Sequence, residues 1–550
     1  MLLVFTALTA VMTYPQMLHL RDGVHDDGDP LLNTWALTWV AHQLPRAPAR
    51  LFDANIFHPE RRTLAFTETL LLPGIVAAPL HWLGVAPLLV HNLVFLSGFI
   101  ISGAGVAMVV RMLTGNVGAA ILGGVVFAFL PYRIDHHPHL QLQQTQCLPF
   151  ALWSFHRLLR SGLMRDGLLF GAFAAGQVLS CMYYGLFLVP YFAAVCSVML
   201  LADRTRLKER IPALAGAVAI AAILVFPLAR AYLDARQVMG GERRPAEVAE
   251  GSAHWWNYLA PPEANAVYGE IFHRFAEPER RLFPGFVAVA LALVGVWPRR
   301  REDSASSIHR FAYSPVLAYA LGLLLAFDLS LGLNGFSYRL LYDYVAPFRG
   351  LRVPARMGLM VGLSLAVLAG YGASRISDAV RSIHVRRIVL VALALAMLVE
   401  YASKPLPLQI IPTQPSNAYA DLVRDVGDSP TAAIVELPVS SHDDPTYMYY
   451  SMFHWQYLVN GYAGFFPSWY QRFSESMERF PGTRALQAIK EHGARYVAIH
   501  GERMRGRAYE RLVYELDRSP DVALVARQPA EREGQHGEIS IYRVSYADAK

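Results

Sequence analysis

The chain has 550 residues, of which 54% are hydrophobic and only 17% charged, and its mean hydropathy is +0.29. A soluble protein carries about a quarter charged residues, so this composition excludes an ordinary globular domain and describes a polytopic membrane protein. The formal net charge of +6 comes from short basic clusters between apolar runs, which sets membrane orientation and gives no nucleic-acid partner.

The first apolar run, Leu2 to Leu20, lacks a basic leading region and a small-x-small cleavage site. It reads as a retained span. Directly after it comes DGVHDDGDPLLNTWALTW, Asp22 to Trp39, with carboxylates at Asp22, Asp26, Asp27 and Asp29. Carboxylates beside a span are costly unless they lie in water or in a cavity, and they point to a functional site. Asp29-Pro30 also reads as a helix start, with Asp29 as N-cap and Pro30 at the first helical position. Leu32, Trp35 and Trp39 then share one face, as in an interfacial helix. A cap needs only Asp29 and leaves Asp26 and Asp27 unexplained.

Loop one runs from about residue 21 to 85. Its second part, NIFHPERRTLAFTETLLLPG, contains His58 and Glu68. Leu70 to Leu83 is interrupted by Pro73, Gly74 and Pro79. At about 14 residues it is too short to cross a bilayer, which takes about 20, and it reads as re-entrant or interfacial.

Further spans are expected near 87–110, 117–130 and 147–159, then as two short spans over 168–190 and 191–201 with a turn near Tyr183-Tyr184-Gly185. Others follow near 211–228, 286–297, 315–329, 359–373 and 388–401. With the N-terminus inside and 70–83 not spanning, Arg111, Arg157 to Arg165, Arg204 to Arg210, Arg299 to Arg301 and Arg375 to Arg387 all fall on the cytoplasmic side. The consistent layout is a polytopic α-helical membrane protein of about 11 transmembrane helices. Every long loop then lies outside: the Asp cluster, PYRIDHHPHLQLQQTQ, GERRPAEVAEG with HWWNYLAPPEAN, and VAPFRGLRVPARMG.

From Ser403 the pattern changes. AAIVELPV (432–439), ARYVAIH (494–500), VALVAR (522–527) and ISIYRV (539–544) read as strands between helical stretches. A soluble C-terminal α/β domain over 403–550, outside the membrane, follows a transmembrane catalytic domain over 1–402. The segment YMYYSMFHWQYLVNGYAGFFP (447–467) reads as packed core with a flap over the membrane, or as a lid facing carbohydrate or lipid.

There is no GxxxxGK[ST] and no GxGxxG after a strand, so any donor is supplied at the membrane. Cys147, Cys181 and Cys196 fall in or beside apolar runs and have no metal-ligand spacing. Arg133, Asp135, His136, His137, His139, Gln141 and Gln143 crowd one loop. Three histidines within four residues suit a metal, so a divalent cation is one option. Pro138 breaks any helix there, which favours a hydrogen-bonding wall. Arg349, Arg352 and Arg356 are spaced by three and four, so a helical turn would gather guanidinium forks for phosphate, although Pro354 interrupts it. Lipid headgroups are the plainer partner for the same arginines.

DDGDP (26–30), the short apolar segment after it, the many short spans and the soluble end resemble membrane glycosyltransferases of the GT-C fold. That group includes the protein O-mannosyltransferases and the lipid A aminoarabinose transferases. GDPLLNTW, NIFHPERRTLAFTE, PYRIDHHPHLQ, FRGLRVPARM and VNGYAGFFP look like a set found in bacterial proteins of this type, and together they cover nearly the whole chain. The better-known members carry an Asp-Glu pair where this chain has DDGDP. The resemblance implies an inner-membrane enzyme that moves a sugar from a polyprenyl-phosphate-linked donor to a glycan, lipid or protein acceptor, with inversion. A loop-one carboxylate, Asp29 or Asp27, serves as base. Asp26, His58, Glu68, Arg133, His137, His139, Gln141, Trp255, Trp256, Arg349, Arg352 and Arg356 are the substrate-binding candidates. The competing classes are a lipid or polysaccharide transporter, which lacks an inverted repeat here, and a non-enzymatic scaffold with an external binding domain.

Overall fold

A helix lies on each of the eleven segments read as spans. The structure, a computed structural model, describes residues 1–239, 242–297, 315–427, 432–529 and 537–545. The basic turn Arg299 to Arg301 lies outside the described residues. Among those described, five helical stretches are long and apolar enough to cross a membrane: Pro87–Thr114, Val117–Asp135, Met182–Ala202, Arg204–Met239 and Pro354–Ala379. Leu2–Met12, Phe286–Val296 and Pro315–Ser330 are apolar but shorter. At about 1.5 Å per residue, none of these three alone reaches across a core about 30 Å thick.

Two details differ from the sequence reading. The break expected near Tyr183 falls at Cys181, whose backbone is extended between helices Met164–Ser180 and Met182–Ala202. Pro190 lies inside the second of these helices. A Cβ at Gly185 would strike the Val178 backbone, so the two helices close tightly just after the break. The helix expected to be interfacial, Asp29–Gln43, is instead buried from Pro30 to Ala41 on every face. Its two threonines are satisfied internally: Thr34 and Thr38 hydroxyls donate to the Pro30 and Thr34 carbonyls at 2.7 and 2.8 Å.

The chain forms two compact units. The first comprises Met1–Leu18, Val94–Leu228 and Glu242–Pro407. Its centre is helix Gly358–Ala379, which is buried along most of its length. Helices Val117–Ala128, Phe286–Val296 and Pro315–Ser330 pack against it. Gly372 sits against the Leu291 carbonyl and Gly295 against the Leu368 carbonyl, where any Cβ would collide with backbone. Small residues at such a crossing let helix backbones approach when hydrophobic burial gives no drive between helices.

The second unit comprises His19–Leu93, Ala229–Gly241 and Leu408–Lys550. The segments read as strands pair here. In chain order, β1 is Gly23–Val24, β2 Gln409–Ile410, β3 Ala433–Leu437, β4 Tyr457–Leu458, β5 Ala494–His500, β6 Val522–Gln528 and β7 Ile539–Val544. The main sheet has the order β4-β3-β5-β7-β6. β4, β3 and β5 run parallel, and β7 and β6 add antiparallel. All five residues of β3 are buried, as expected of a strand covered on both faces. Loop one joins this unit through backbone. β1 pairs with β2, and the His58 and Leu458 N–H groups donate to the Leu458 and Asn55 carbonyls at 2.9 and 2.8 Å.

At the end of β5, His500 is 2% exposed and donates from Nε2 toward Glu436 Oε2 at 2.8 Å. Glu502 lies 3.7 Å from Nδ1, the Tyr419 hydroxyl donates to Glu436 at 3.0 Å, and Tyr447 stacks on the ring. Burial alone would lower the imidazole, but the hydrogen bond to Glu436 and the nearby Glu502 carboxylate raise it to about 9. A base raised from about 6.5 lends its full stabilisation below that pH and loses it as pH climbs through about 9. The difference is on the order of 3 kcal/mol. We expect the melting temperature to fall between about pH 6.5 and 9.5, and His500→Gln to be less stable at neutral pH with a flatter profile over that window. Asp444, pushed up to about 8 by burial, titrates in both proteins and cancels in the comparison. An unchanged slope in the variant assigns the dependence to other groups.

Candidate functional site

The acidic loop folds around the start of helix Asp29–Gln43. Gly28 is the N-cap and Asp29 the first helical residue, with Pro30 behind it. This corrects the cap reading of Asp29 by one residue: the cap position belongs to Gly28, which has no side chain to cap with. Asp26 supplies the turn instead, its Oδ1 accepting the Gly28 N–H at 2.8 Å. Asp29 Oδ1 accepts from the Tyr462 hydroxyl at 3.1 Å. Asp26, Asp27 and Asp29 are all half-buried. The cluster therefore divides: Asp26 shapes the turn, Asp29 is held by a phenol, and Asp27 stands between them.

Helix Asp29–Gln43 is itself fixed. Trp35 donates to the Asn55 side chain at 3.0 Å, and Asn55 donates to Ser451 and to the Gln456 carbonyl. Trp39 donates to the Leu51 carbonyl, and His42 stacks on Trp455 with ring centroids 3.8 Å apart. The short helix Leu71–Trp82 packs beside it, and Trp82 donates to the Ala41 carbonyl. The aromatic segment 447–467 thus serves as the wall of loop one. Phe57, Arg62, Leu70 and Trp455 all carry positive φ without being glycine. Each such residue costs about 1–3 kcal/mol, and they gather where surrounding structure over-determines the backbone, commonly around functional sites. His58 stacks on Tyr457, and burial lowers its imidazole. Glu68 is half-buried at the far end of the same loop.

In the first unit the polar loop builds a second cluster. Arg133 is fully buried and donates to the Gly98, Ala128 and Gln143 carbonyls and to Ser102 Oγ, at 2.7 to 3.2 Å. Gln143 returns two bonds, to the Arg133 and His136 carbonyls. Arg133, expected to bind substrate, is turned inward onto these carbonyls and locks the loop. His137 bonds the Ile134 carbonyl. His136 lies 3.4 Å from Glu279 and 3.7 Å from Asp135, with His139 beside it. Gln141 is buried, and its side-chain oxygen has no hydrogen-bond partner among the described residues. Among the described residues, no group of three His, Cys, Asp or Glu side chains is set to hold a metal ion.

The three arginines do not share a helical turn. Proline splits the segment into 3-10 turns Ala346–Gly350 and Pro354–Met357. Arg349 donates to the Tyr342 and Asp343 carbonyls. Arg356 is buried and forks onto Glu279 at 2.9 and 3.1 Å, with its guanidinium over Tyr183. Arg352 is exposed, and its backbone N–H donates to the Tyr183 hydroxyl. Burial would raise the Glu279 carboxyl, but Arg356 outweighs it and holds Glu279 well below the usual carboxylate range. Burial pushes His136 down to about 3, which keeps it neutral. Trp255 is 63% exposed, while Trp256 stacks on His254.

No family model and no curated protein matches the chain. Solved structures do. The arabinofuranosyltransferase AftD from Mycobacteria matches with a TM-score of 0.65 at 16% identity, over 100% of this chain and 40% of that one. The chain has the GT-C fold. It spans about two fifths of the AftD chain. ArnT from Cupriavidus metallidurans matches at TM-score 0.48 and 13% identity, over 98% of this chain and 97% of that one. AglB from Archaeoglobus fulgidus, in complex with an inhibitory peptide and a dolichol-phosphate, matches at 0.46 and 11%, over 98% and 73%.

Three polar residues of this GT-C chain are not singled out by sequence reading. Glu279 carries positive φ at 65° and receives Arg356. Arg281 bridges Asp135 at 3.0 Å and Glu263 at 2.6 Å. Tyr462 reaches Asp29. The run EPERR (277–281) was the available signal for the first two, since four charges in five residues beside apolar runs require partners.

Proposed function

We propose that the chain is a membrane glycosyltransferase that moves a sugar from a polyprenyl-phosphate donor to a hydroxyl acceptor on the external face, with inversion. The observation that carries this reading is a half-buried carboxylate, Asp29, at the first position of a rigid helix in a chain of GT-C fold. Asp29 takes the acceptor hydroxyl's proton as the acceptor oxygen bonds to the anomeric carbon. The bond from that carbon to the phosphate oxygen breaks, and its electron pair leaves with the lipid phosphate. Asp27 orients the acceptor. Arg352, which is exposed, is the first candidate cation for the donor phosphate, since guanidinium forks fit phosphate oxygens; Arg349 is the second, because its guanidinium also lies 3.5 Å from Glu242. Arg356 is excluded from that role, because Glu279 already neutralises it. His58, Glu68, His137, His139, Gln141, Trp255 and Trp256 remain the candidates for sugar and acceptor contacts. The direct test is purified protein in lipid vesicles with a panel of synthetic polyprenyl-phosphate-linked pentoses and hexoses. Release of polyprenyl phosphate that depends on protein and on added glycan acceptor supports the reading. Failure with the whole panel rejects it.

The layout belongs to the same proposal: about 11 crossings, with N-terminus inside the bacterial inner membrane and 1–402 as the catalytic part. Loop one and 403–550 lie outside. The distribution of arginine supports it. We expect single cysteines at Gly28 and at Gly537, in a background without Cys147, Cys181 and Cys196, to react with an impermeant thiol reagent on intact cells. Protection of either position rejects the layout.

A further inference from the structure

We infer that Tyr462 is a positioning residue for the base: its phenol holds the Asp29 carboxylate in the orientation that receives the acceptor's proton. The inference rests on the assignment of Asp29 as base and extends it to a residue 433 positions away in sequence. The contact is a hydroxyl donating to Asp29 Oδ1 at 3.1 Å. A carboxylate is a planar group with two acceptor oxygens, so fixing one oxygen sets the bearing of the other.

The surroundings of Tyr462 are those of a support. Its own N–H donates to Met448 sulfur at 3.2 Å. The Gly461 N–H before it donates to the Tyr470 hydroxyl at 3.1 Å. Any Cβ at Gly461 would collide with the Phe57 ring, so the segment after β4 is pressed directly on loop one. Three residues on, the Phe465 N–H donates to the Phe66 carbonyl at 3.0 Å. The phenol is therefore delivered from backbone pinned on both sides. Asp29, at the other end of the bond, is pinned by Pro30 and by helix geometry. Two fixed partners hold a reacting carboxylate more closely than either does alone.

A packing role for Tyr462 is separable from this. Its ring meets Phe466 edge-on at 6.5 Å, and Phe keeps that contact while losing the hydroxyl. The experiment compares the unsubstituted protein, Asp29→Asn, Tyr462→Phe and the double variant, with the donor panel above. Tyr462→Phe is expected to lower kcat about tenfold, the scale of lost orientation at a reacting group, with KM for donor and acceptor unchanged. In the Asp29→Asn background the same change is expected to cost nothing further, because its effect passes through Asp29. An unchanged kcat, or an equal loss in both backgrounds, overturns the inference while leaving Asp29 as base. Full activity of Asp29→Asn instead overturns the base assignment. Thermal melting of a second cycle, Asp29→Ala with Tyr462→Phe, tests the bond independently of turnover, since Ala removes the acceptor oxygen: non-additive changes in Tm support the pairing, and additive changes reject it.

Discussion

Asp29→Asn is expected to lower sugar transfer by about two to four orders of magnitude while expression and folding stay intact, the usual size of a lost general base. The structure sharpens this expectation. Gly28, not Asp29, occupies the cap position, and Asp26 supports the turn. The substitution therefore removes basicity and leaves the cap position untouched, and an Asn oxygen accepts the same kinds of hydrogen bond. Asn is nearly the same shape, and its carbonyl oxygen still accepts from the Tyr462 hydroxyl. The remaining stability cost is the loss of a negative charge in the first turn, about 0.3–1 kcal/mol. Asp27→Asn is expected to cost less in rate, because the preceding turn leaves Asp27 outside the helix. Initial rates of transfer in vesicles, with melting temperature as the control for folding, separate the two. Near-normal transfer by Asp29→Asn reduces Asp29 to a helix-dipole residue and passes the base to Asp27.

Periodic features were legible in the sequence, and features made by distant pairing were not. The apolar runs, four of the five strands of the main sheet and the start of helix Asp29–Gln43 follow from local pattern, and each lies within a few residues of its expected place, whereas β4 lies in the aromatic segment and was not read as a strand. Burial of that helix was hidden because Trp35 and Trp39, with Leu32, look like an interfacial face until their partners are known. Trp35 finds Asn55 and the two threonines bond their own backbone. The arginine group failed for a local reason, since Pro354 starts a new 3-10 turn and sends Arg356 away from Arg349. The inward turn of Arg133 was hidden for a general one. A lone arginine in a polar loop reads the same whether it faces solvent or closes on carbonyls, and only the fold supplies Gly98 and Gln143 as its acceptors. The Asp29–Tyr462 and Arg356–Glu279 pairs join residues 433 and 77 positions apart, and no spacing rule reaches across such distances.

Breaking the Glu279–Arg356 pair from one side is expected to destabilise the protein by about 3–5 kcal/mol, the range for a buried ion pair stripped of one partner. Arg356 is buried, and its fork onto Glu279 is bidentate at 2.9 and 3.1 Å. Glu279→Gln removes the charge while keeping the shape, so the guanidinium is left desolvated over the Tyr183 ring. His136, 3.4 Å from Glu279, is held neutral by burial and supplies no compensating charge. Arg356→Met leaves the opposite defect, a half-buried carboxylate without its cation. The double variant is expected to recover much of the loss, because an uncharged pair of similar volume carries no desolvation penalty. Denaturant melts of the four proteins in detergent micelles measure the coupling. The positive φ of Glu279 is the same in all four, so backbone strain cancels from the cycle. Wild-type stability in Glu279→Gln would mean that the arginine finds another anion or solvent. Arg356 would then rejoin Arg349 and Arg352 as a ligand for the donor phosphate.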